Sequence, residues 1–298
     1  GQALMPLSAQ HVPRLPAAAL ELAARRALEG RRGGRHRSPF HGSAVEFSDH
    51  RAYQAGDDLR HMDWRILARR DQMLTRRYRE ERSLPVVLLL DSSASMDWGD
   101  PSKLQHATIC LAALGLLALT QGDEVRIAAG ANAVAAIAEP LCGEGSTSEM
   151  CRRLAAASAG PGDPARIVSS CAAHLPRRHL LVVASDLLDS DPAELARAFG
   201  AAHARGHECA VLQILTRAEI DLPAAWGACA ISDPEGRTTA FACDAGAAKR
   251  AYDLAIRAHV DACARACAAA RADHRLAVSD EPAAATIGRW LATRRARR

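Results

Sequence analysis

The stretch that decides the fold is PVVLLLDSSASMDWG, Pro85 to Gly99, in which a run of Val and Leu stops on a carboxylate and a cluster of hydroxyls. A run this short, bounded by small polar residues, predicts a fully buried parallel strand that ends in a loop. Asp91, Ser93 and Ser95 then stand just past the strand's carboxyl end. Open α/β sheets bind their ligands at that edge. One carboxylate and two hydroxyls at alternate positions supply hard oxygen donors, which suit Mg²⁺ or Mn²⁺ better than Zn²⁺. The same residues also read as a plain strand-to-helix turn in which Ser and Asp cap a helix.

Downstream, Lys103–Gln121 is apolar almost all round, as a helix packed against a sheet should be. Glu124–Gly130 and Ala133–Ala138 read as a hairpin at a sheet edge, followed by helices at Ser148–Ala157 and Pro164–Leu175. His179–Ser185 is a second buried strand, and it too ends on a carboxylate, Asp186. A helix at Asp191–Arg205 and a strand at Glu208–Leu215 follow. Trp226–Ser232 and Arg237–Cys243 flank the strong turn signal Asp233-Pro234-Glu235-Gly236. A helix at Ala247–Arg271, a strand at Arg275–Ser279 and a helix at Pro282–Arg294 complete the series. This alternation predicts an α/β fold with a doubly wound, mostly parallel sheet of Rossmann type. If the strands at Pro85 and His179 are neighbours at the switch point, Asp91 and Asp186 lie side by side.

Composition narrows the classes. The chain has 298 residues, 49% hydrophobic and only 4% aromatic, which describes a globular protein with an Ala-rich core. The longest apolar run, Ile109–Thr120, is about two-thirds of the roughly 18 residues a spanning helix needs, and no leader pattern is visible at the start. A cytoplasmic location is the resulting expectation. Nine scattered Cys without a C-x-x-C pair signal neither a disulfide framework nor a zinc site. The pairs Cys263/Cys267 and His203/His207 have the spacing of one helical face but lack further ligands, so core and solvated roles are expected. Of the net charge of +4, the excess is basic and falls before residue 85, where 16 Lys plus Arg face 10 Asp plus Glu. That asymmetry leaves a nucleic-acid-associated role as an alternative, although no aromatic residues interleave a basic stripe.

Residues 1–84 divide from 85–298 at this change in character. A helix is expected from Pro16 to Gly30, then the Gly- and Arg-rich connection RRGGRHRSPFHGSAVEF. Glu46–Glu81 is dense in charge of both signs yet carries Tyr53, Trp64, Ile66, Leu67, Leu74 and Tyr78, which predicts short strands and turns built on a charge network. Within it stand Glu46-Phe47, Arg51-x-Tyr53, Gly56-Asp57-Asp58-x-Arg60, Asp63-Trp64-Arg65, Ala68-Arg69 and Arg77-x-x-Glu80. This run resembles the signature of domain-of-unknown-function family 58, over a span from about Arg35 to His274. Asp91-x-Ser93-x-Ser95 in turn resembles the metal-ion-dependent adhesion site of von Willebrand factor A-type domains.

The resemblance implies a von Willebrand A-like domain at 85–298 and an N-terminal helix and short-strand extension at 1–84 packing on its sheet. It implies that Asp91, Ser93, Ser95 and Asp186 hold Mg²⁺ or Mn²⁺, with an open position for a partner's acidic side chain. The Thr that usually completes such sites has no counterpart in the matching loop, Gly160-Pro161-Gly162-Asp163, so Asp163 or Thr147 is expected to supply the missing oxygen. Gly56, Asp57, Asp58, Arg60, Asp63 and Trp64 are assigned a structural role at the edge of the sheet, with Trp64 anchoring paired ions and docking as the second choice. The implied function is a non-enzymatic adaptor, with a MoxR-type AAA+ ATPase as partner. A Mg²⁺-dependent hydrolase is a further alternative, against which stand the missing second Asp of aspartate-nucleophile phosphatases and the missing G-x-S-x-G elbow.

Overall fold

In a computed structural model of the chain, residues 13, 45–54, 62–70, 72–80, 85–134, 137–176, 178–231, 233–236 and 239–296 are described. The Pro16–Gly30 helix, the Gly- and Arg-rich connection, and Gly56, Asp57, Asp58 and Arg60 lie outside them. The basic residues on which a nucleic-acid role would rest therefore lie largely outside them as well. Two compact units divide the chain, one comprising Ala24–Ser83 and the other Leu84–Arg298 together with Gly1–Ala23.

The smaller unit pairs β1 (Val45–Ala52) antiparallel with β2 (Leu74–Glu80), with a register shift between Phe47 and Asp49. Between them, α1 (Trp64–Arg70) begins at Asp63, whose Oδ1 accepts from the backbone N–H groups of Arg65 at 3.0 Å and Ile66 at 3.2 Å. Asp63 is thus a helix cap, and its Oδ2 also meets His50 Nε2 at 3.1 Å. Trp64 is not the expected anchor: it is 58% exposed. It opens a helix none of whose residues is buried among the described residues.

In the larger unit, five strands form a parallel sheet in the order β4–β3–β5–β6–β9. They are β3 (Val86–Asp91), β4 (Val125–Gly130), β5 (Leu180–Ser185), β6 (Glu208–Leu215) and β9 (Asp273–Val278). Every residue of β3 and β5 is buried, because side chains alternate between two covered faces. Val86, Leu88 and Leu90 join a core with α2 (Lys103–Thr120), α3 (Thr147–Ala155) and α8 (Ala283–Ala296). Val87 and Leu89 join the opposite core with α4 (Pro164–His174), α5 (Pro192–Ala204) and α7 (Ala245–Ala269). Each of these buried Leu side chains contributes about 1.5–3 kcal/mol relative to exposure. Among the described helices, only α2 is long and apolar enough to cross a membrane, and 78% of it is buried inside this unit.

The edge hairpin expected at Ala133–Ala138 is absent among the described residues. Instead the chain touches β4 through Ala138 N–H to Ile127 O and a single bridge of Leu141 to Val125. An Ala-rich segment has little side-chain area with which to hold an edge strand, and Pro140 just beyond it lacks a ladder donor. A separate antiparallel pair, β7 (Ala228–Ile231) and β8 (Phe241–Asp244), carries the Asp233–Gly236 turn.

The nine cysteines are free. Cys263 and Cys267 are core residues of α7, with burial pushing their thiols up to about 11 and about 12. His207 follows the end of α5, so it shares no helical face with His203; it is buried with its ring 5.8 Å from that of His179.

Candidate metal centre

Strands β3 and β5 are hydrogen-bonded neighbours in a register that sets Leu90 beside Ala184. The residues that follow, Asp91 on one and Ser185-Asp186 on the other, therefore emerge together at the carboxyl edge. Asp91 Oδ1 accepts from Ser93 N–H at 2.8 Å, and its Oδ2 accepts from Ser185 Oγ at 2.5 Å. Burial, and then the charge of Asp186, push the Asp91 carboxyl up to about 7, against the opposing effect of the Ser185 and Ser93 hydrogen bonds. The loop beyond it folds Ser93 Oγ to 3.1 Å from Ser95 Oγ, and Ser95 Oγ lies 3.4 Å from Asp189 Oδ2.

Asp186 is held differently. Its Oδ2 accepts from Lys103 Nζ at 2.7 Å, its Oδ1 from Leu188 N–H at 3.1 Å, and its backbone carbonyl from Gln213 Nε2 at 2.9 Å. Lys103, the first residue of α2, has no solvent exposure and bonds Glu219 Oε1 at 2.5 Å as well. Burial opposes its charge, but Asp186 and Glu219 outweigh that and raise its pKa. The chain leaves Asp186 through Leu187, a buried residue at φ 59°, a conformation costly for a non-glycine residue and one that concentrates at sites.

The loop 160–163 lies against the Ser93 loop. Gly160 bridges Ser93, and its N–H donates to Ser92 O at 3.0 Å. At Gly162 a Cβ would stand 2.7 Å from Ala131 O and 2.8 Å from Ser93 Cβ, so glycine is what lets the two loops close. The Asp163 carboxylate turns to its own helix, accepting from Ala165 N–H at 3.0 Å and Ser190 Oγ at 2.5 Å, with Arg166 Nε at 3.4 Å. Thr147 opens α3 and donates to Glu144 O. Asp163 is thus taken up by the start of α4 and by Ser190, and Thr147 by the turn before α3. The residue that does reach in is Glu235, whose Oε1 and Oε2 accept from Ser95 N–H and Gly162 N–H, each at 2.9 Å. Sequence reasoning registered Glu235 only as part of a turn, and it passed over Lys103, Asp189, Ser185 and Gln213. The Asp186-x-x-Asp189 spacing and a Lys opening an otherwise apolar helix were the available signals.

Does this donor set suit Mg²⁺? Adjacent ligands of an octahedral ion with oxygens at 2.0–2.1 Å are separated by about 2.9 Å. The 3.1 Å between Ser93 Oγ and Ser95 Oγ is close to that edge. Asp91 and Asp189 stand beside them; the Asp91 oxygens accept from neutral donors only, whereas Asp186 Oδ2 already faces the Lys103 ammonium. Among the described residues, no three His, Cys, Asp or Glu side chains cluster as metal ligands. Any cation here would thus rest on hydroxyls as much as on carboxylates.

These features define an α/β protein whose parallel sheet gathers carboxylates and serine hydroxyls at its carboxyl edge. Residues 49–262 match the family described as "Protein of unknown function DUF58", and the chain belongs to that family. The match lies within the Arg35–His274 span expected from the signature. The chain is 32% identical over 219 residues to the uncharacterized protein Rv1480 of Mycobacterium tuberculosis strain H37Rv and to the uncharacterized protein Mb1516 of Mycobacterium bovis. In each case 71% of this chain and 68% of the relative are covered. Two solved structures are similar at 14% identity: the conserved hypothetical protein BatB from Bacteroides thetaiotaomicron and an aerotolerance-related membrane protein from Bacteroides fragilis. The first has a TM-score of 0.45 over 71% of this chain and 98% of that one; the second has 0.47 over 72% and 100%.

Proposed function

We propose that this chain is a non-enzymatic, metal-dependent protein–protein interaction module with a von Willebrand A-type domain. Asp91, Ser93 and Ser95 hold Mg²⁺ or Mn²⁺, Asp189 lies at the same edge, and Asp186 tunes the charge from the neighbouring strand. The observation that carries this reading is the pair of serine hydroxyls 3.1 Å apart next to a buried Asp91 that lacks a cationic partner in its own hydrogen bonds. A bound cation supplies an open position for a carboxylate, so the partner offers an Asp or Glu side chain. A MoxR-type AAA+ ATPase is the partner that the family resemblance implies. The reading carries with it a cytoplasmic location, which cell fractionation tests.

Calorimetric titration of Mg²⁺ and Mn²⁺ into the wild type and into Asp91→Ala, in a carboxylate-free buffer, tests the site. Binding by the wild type that falls at least about tenfold in the variant, a loss of about 1.4 kcal/mol or more, is the expected result. Heats that do not differ between the two proteins overturn it.

A further inference from the structure

Glu235 reaches the site from far away in sequence. Its carboxylate takes one amide from the Ser95 loop, 140 residues away, and one from the Gly162 loop, 73 residues away. Two N–H groups on two different loops, held together by the close approach at Gly162, form a cradle for one carboxylate. The turn presenting Glu235 is preformed: Asp233 Oδ1 accepts from Glu235 N–H at 2.9 Å, and Gly236 N–H closes onto Asp233 O at 3.0 Å, with Gly236 at φ 69°. The strands behind that turn are weakly held. Ile231 and Phe241 are opposed in the ladder and exposed, the latter by 56%, and no residue of β7 or β8 is fully buried. Elements with so little buried apolar area open at low free-energy cost.

We propose that the β7–β8 hairpin is an internal acidic ligand of this edge, and that an acidic partner binds by displacing Glu235 from the amides of Ser95 and Gly162. This rests on the reading of the edge as a surface that grips a carboxylate. The occupant that fits is an Asp or Glu side chain at the tip of a turn, since that is the form in which the chain presents its own. A tethered ligand acts at a millimolar or higher effective concentration, so free carboxylates compete poorly until the tether is removed. The hairpin thereby sets a threshold that only a partner with further contacts passes.

The test uses the full chain, as wild type and as Glu235→Ala, with a fluorescein-labelled peptide of residues 231–239 as probe, followed by anisotropy in Mg²⁺ and in EDTA. The variant is expected to bind the peptide at least about tenfold more tightly than the wild type, and a peptide carrying Gln for Glu235 is expected not to bind. Exchange of the Ser95 and Gly162 amide hydrogens, read by NMR, is expected to accelerate in the variant without peptide and to slow again with it. Peptide binding to neither protein, to both alike, or irrespective of the Gln change overturns the proposal. Tighter peptide binding by the variant in EDTA upholds the displacement even if the Mg²⁺ titration fails. Mg²⁺ binding with equal peptide affinities removes the displacement and leaves the cation site standing.

Discussion

Asp91 and Asp186 occupy the same place on neighbouring parallel strands, yet their surroundings differ. Asp91 is met by neutral donors alone, a backbone amide and a serine hydroxyl, and burial beside a second carboxylate raises its proton affinity. Asp186 is met by a lysine with no solvent exposure and by a further amide. Position in the sheet therefore brings a carboxylate to the edge, but the third element, α2 with Lys103 at its start, decides which carboxylate has its charge balanced from within. The one left without an internal cation is the one to which the proposed function assigns an external cation.

Substitutions can break that asymmetry. Asp186→Asn takes one of two carboxylates from a buried ammonium and is expected to cost about 3–5 kcal/mol in denaturant unfolding. Combining it with Lys103→Met should recover much of the loss, and additive losses would show that the pair is not coupled. Gly162→Ala acts on the Asp91 side only. The new methyl would press on Ala131 O and Ser93, and a cost of about 1–3 kcal/mol together with weaker Mg²⁺ binding is expected; a melting temperature unchanged from wild type would mean that the loops are not held as close as described.

Asp91→Asn should have the opposite character to Asp186→Asn. Folded Asp91 keeps its proton to about pH 7, whereas the unfolded chain releases it near 3.8. Between those values the folded state binds more protons, so in EDTA the wild type loses stability as pH rises through this window. The variant lacks that slope: within about 1 kcal/mol of wild type at the acid end, it becomes the more stable protein above pH 7 until Mg²⁺ is added. Unfolding curves of the two proteins that run parallel across the window would show that Asp91 carries no such strain. Trp64→Ala, in the smaller unit, is the smallest expected change, within about 0.5 kcal/mol because the ring is exposed; a large drop in melting temperature would give Trp64 back its anchoring role.

The contrast between strand ends also marks what a reader of the chain can see. Continuous apolar runs at Val86 and Leu180 announce buried parallel strands because both faces of such a strand are covered, and the carboxylates that end them follow directly. Ala133–Ala138 misled because small side chains alternate without the bulk that holds an edge strand. Trp64 misled because an aromatic among charges implies burial only when a core lies behind it, and α1 has none of its residues buried. Asp63, read as a member of a charge network, pairs with His50 and caps α1 as well.

By itself, then, the sequence determined most of the strands and helices, the parallel character of the sheet and the strand ends that carry Asp91, Ser93, Ser95 and Asp186, because periodicity and strand termini are local properties; that the two strands are neighbours is a tertiary fact. Tertiary structure alone decided that Lys103 neutralises Asp186, that Ser190 meets the Asp163 carboxylate and that Glu235 reaches the Ser95 and Gly162 amides. Those pairings join residues between 27 and 140 positions apart, and which donor meets which carboxylate depends on how separate elements pack, a relation that no local pattern encodes.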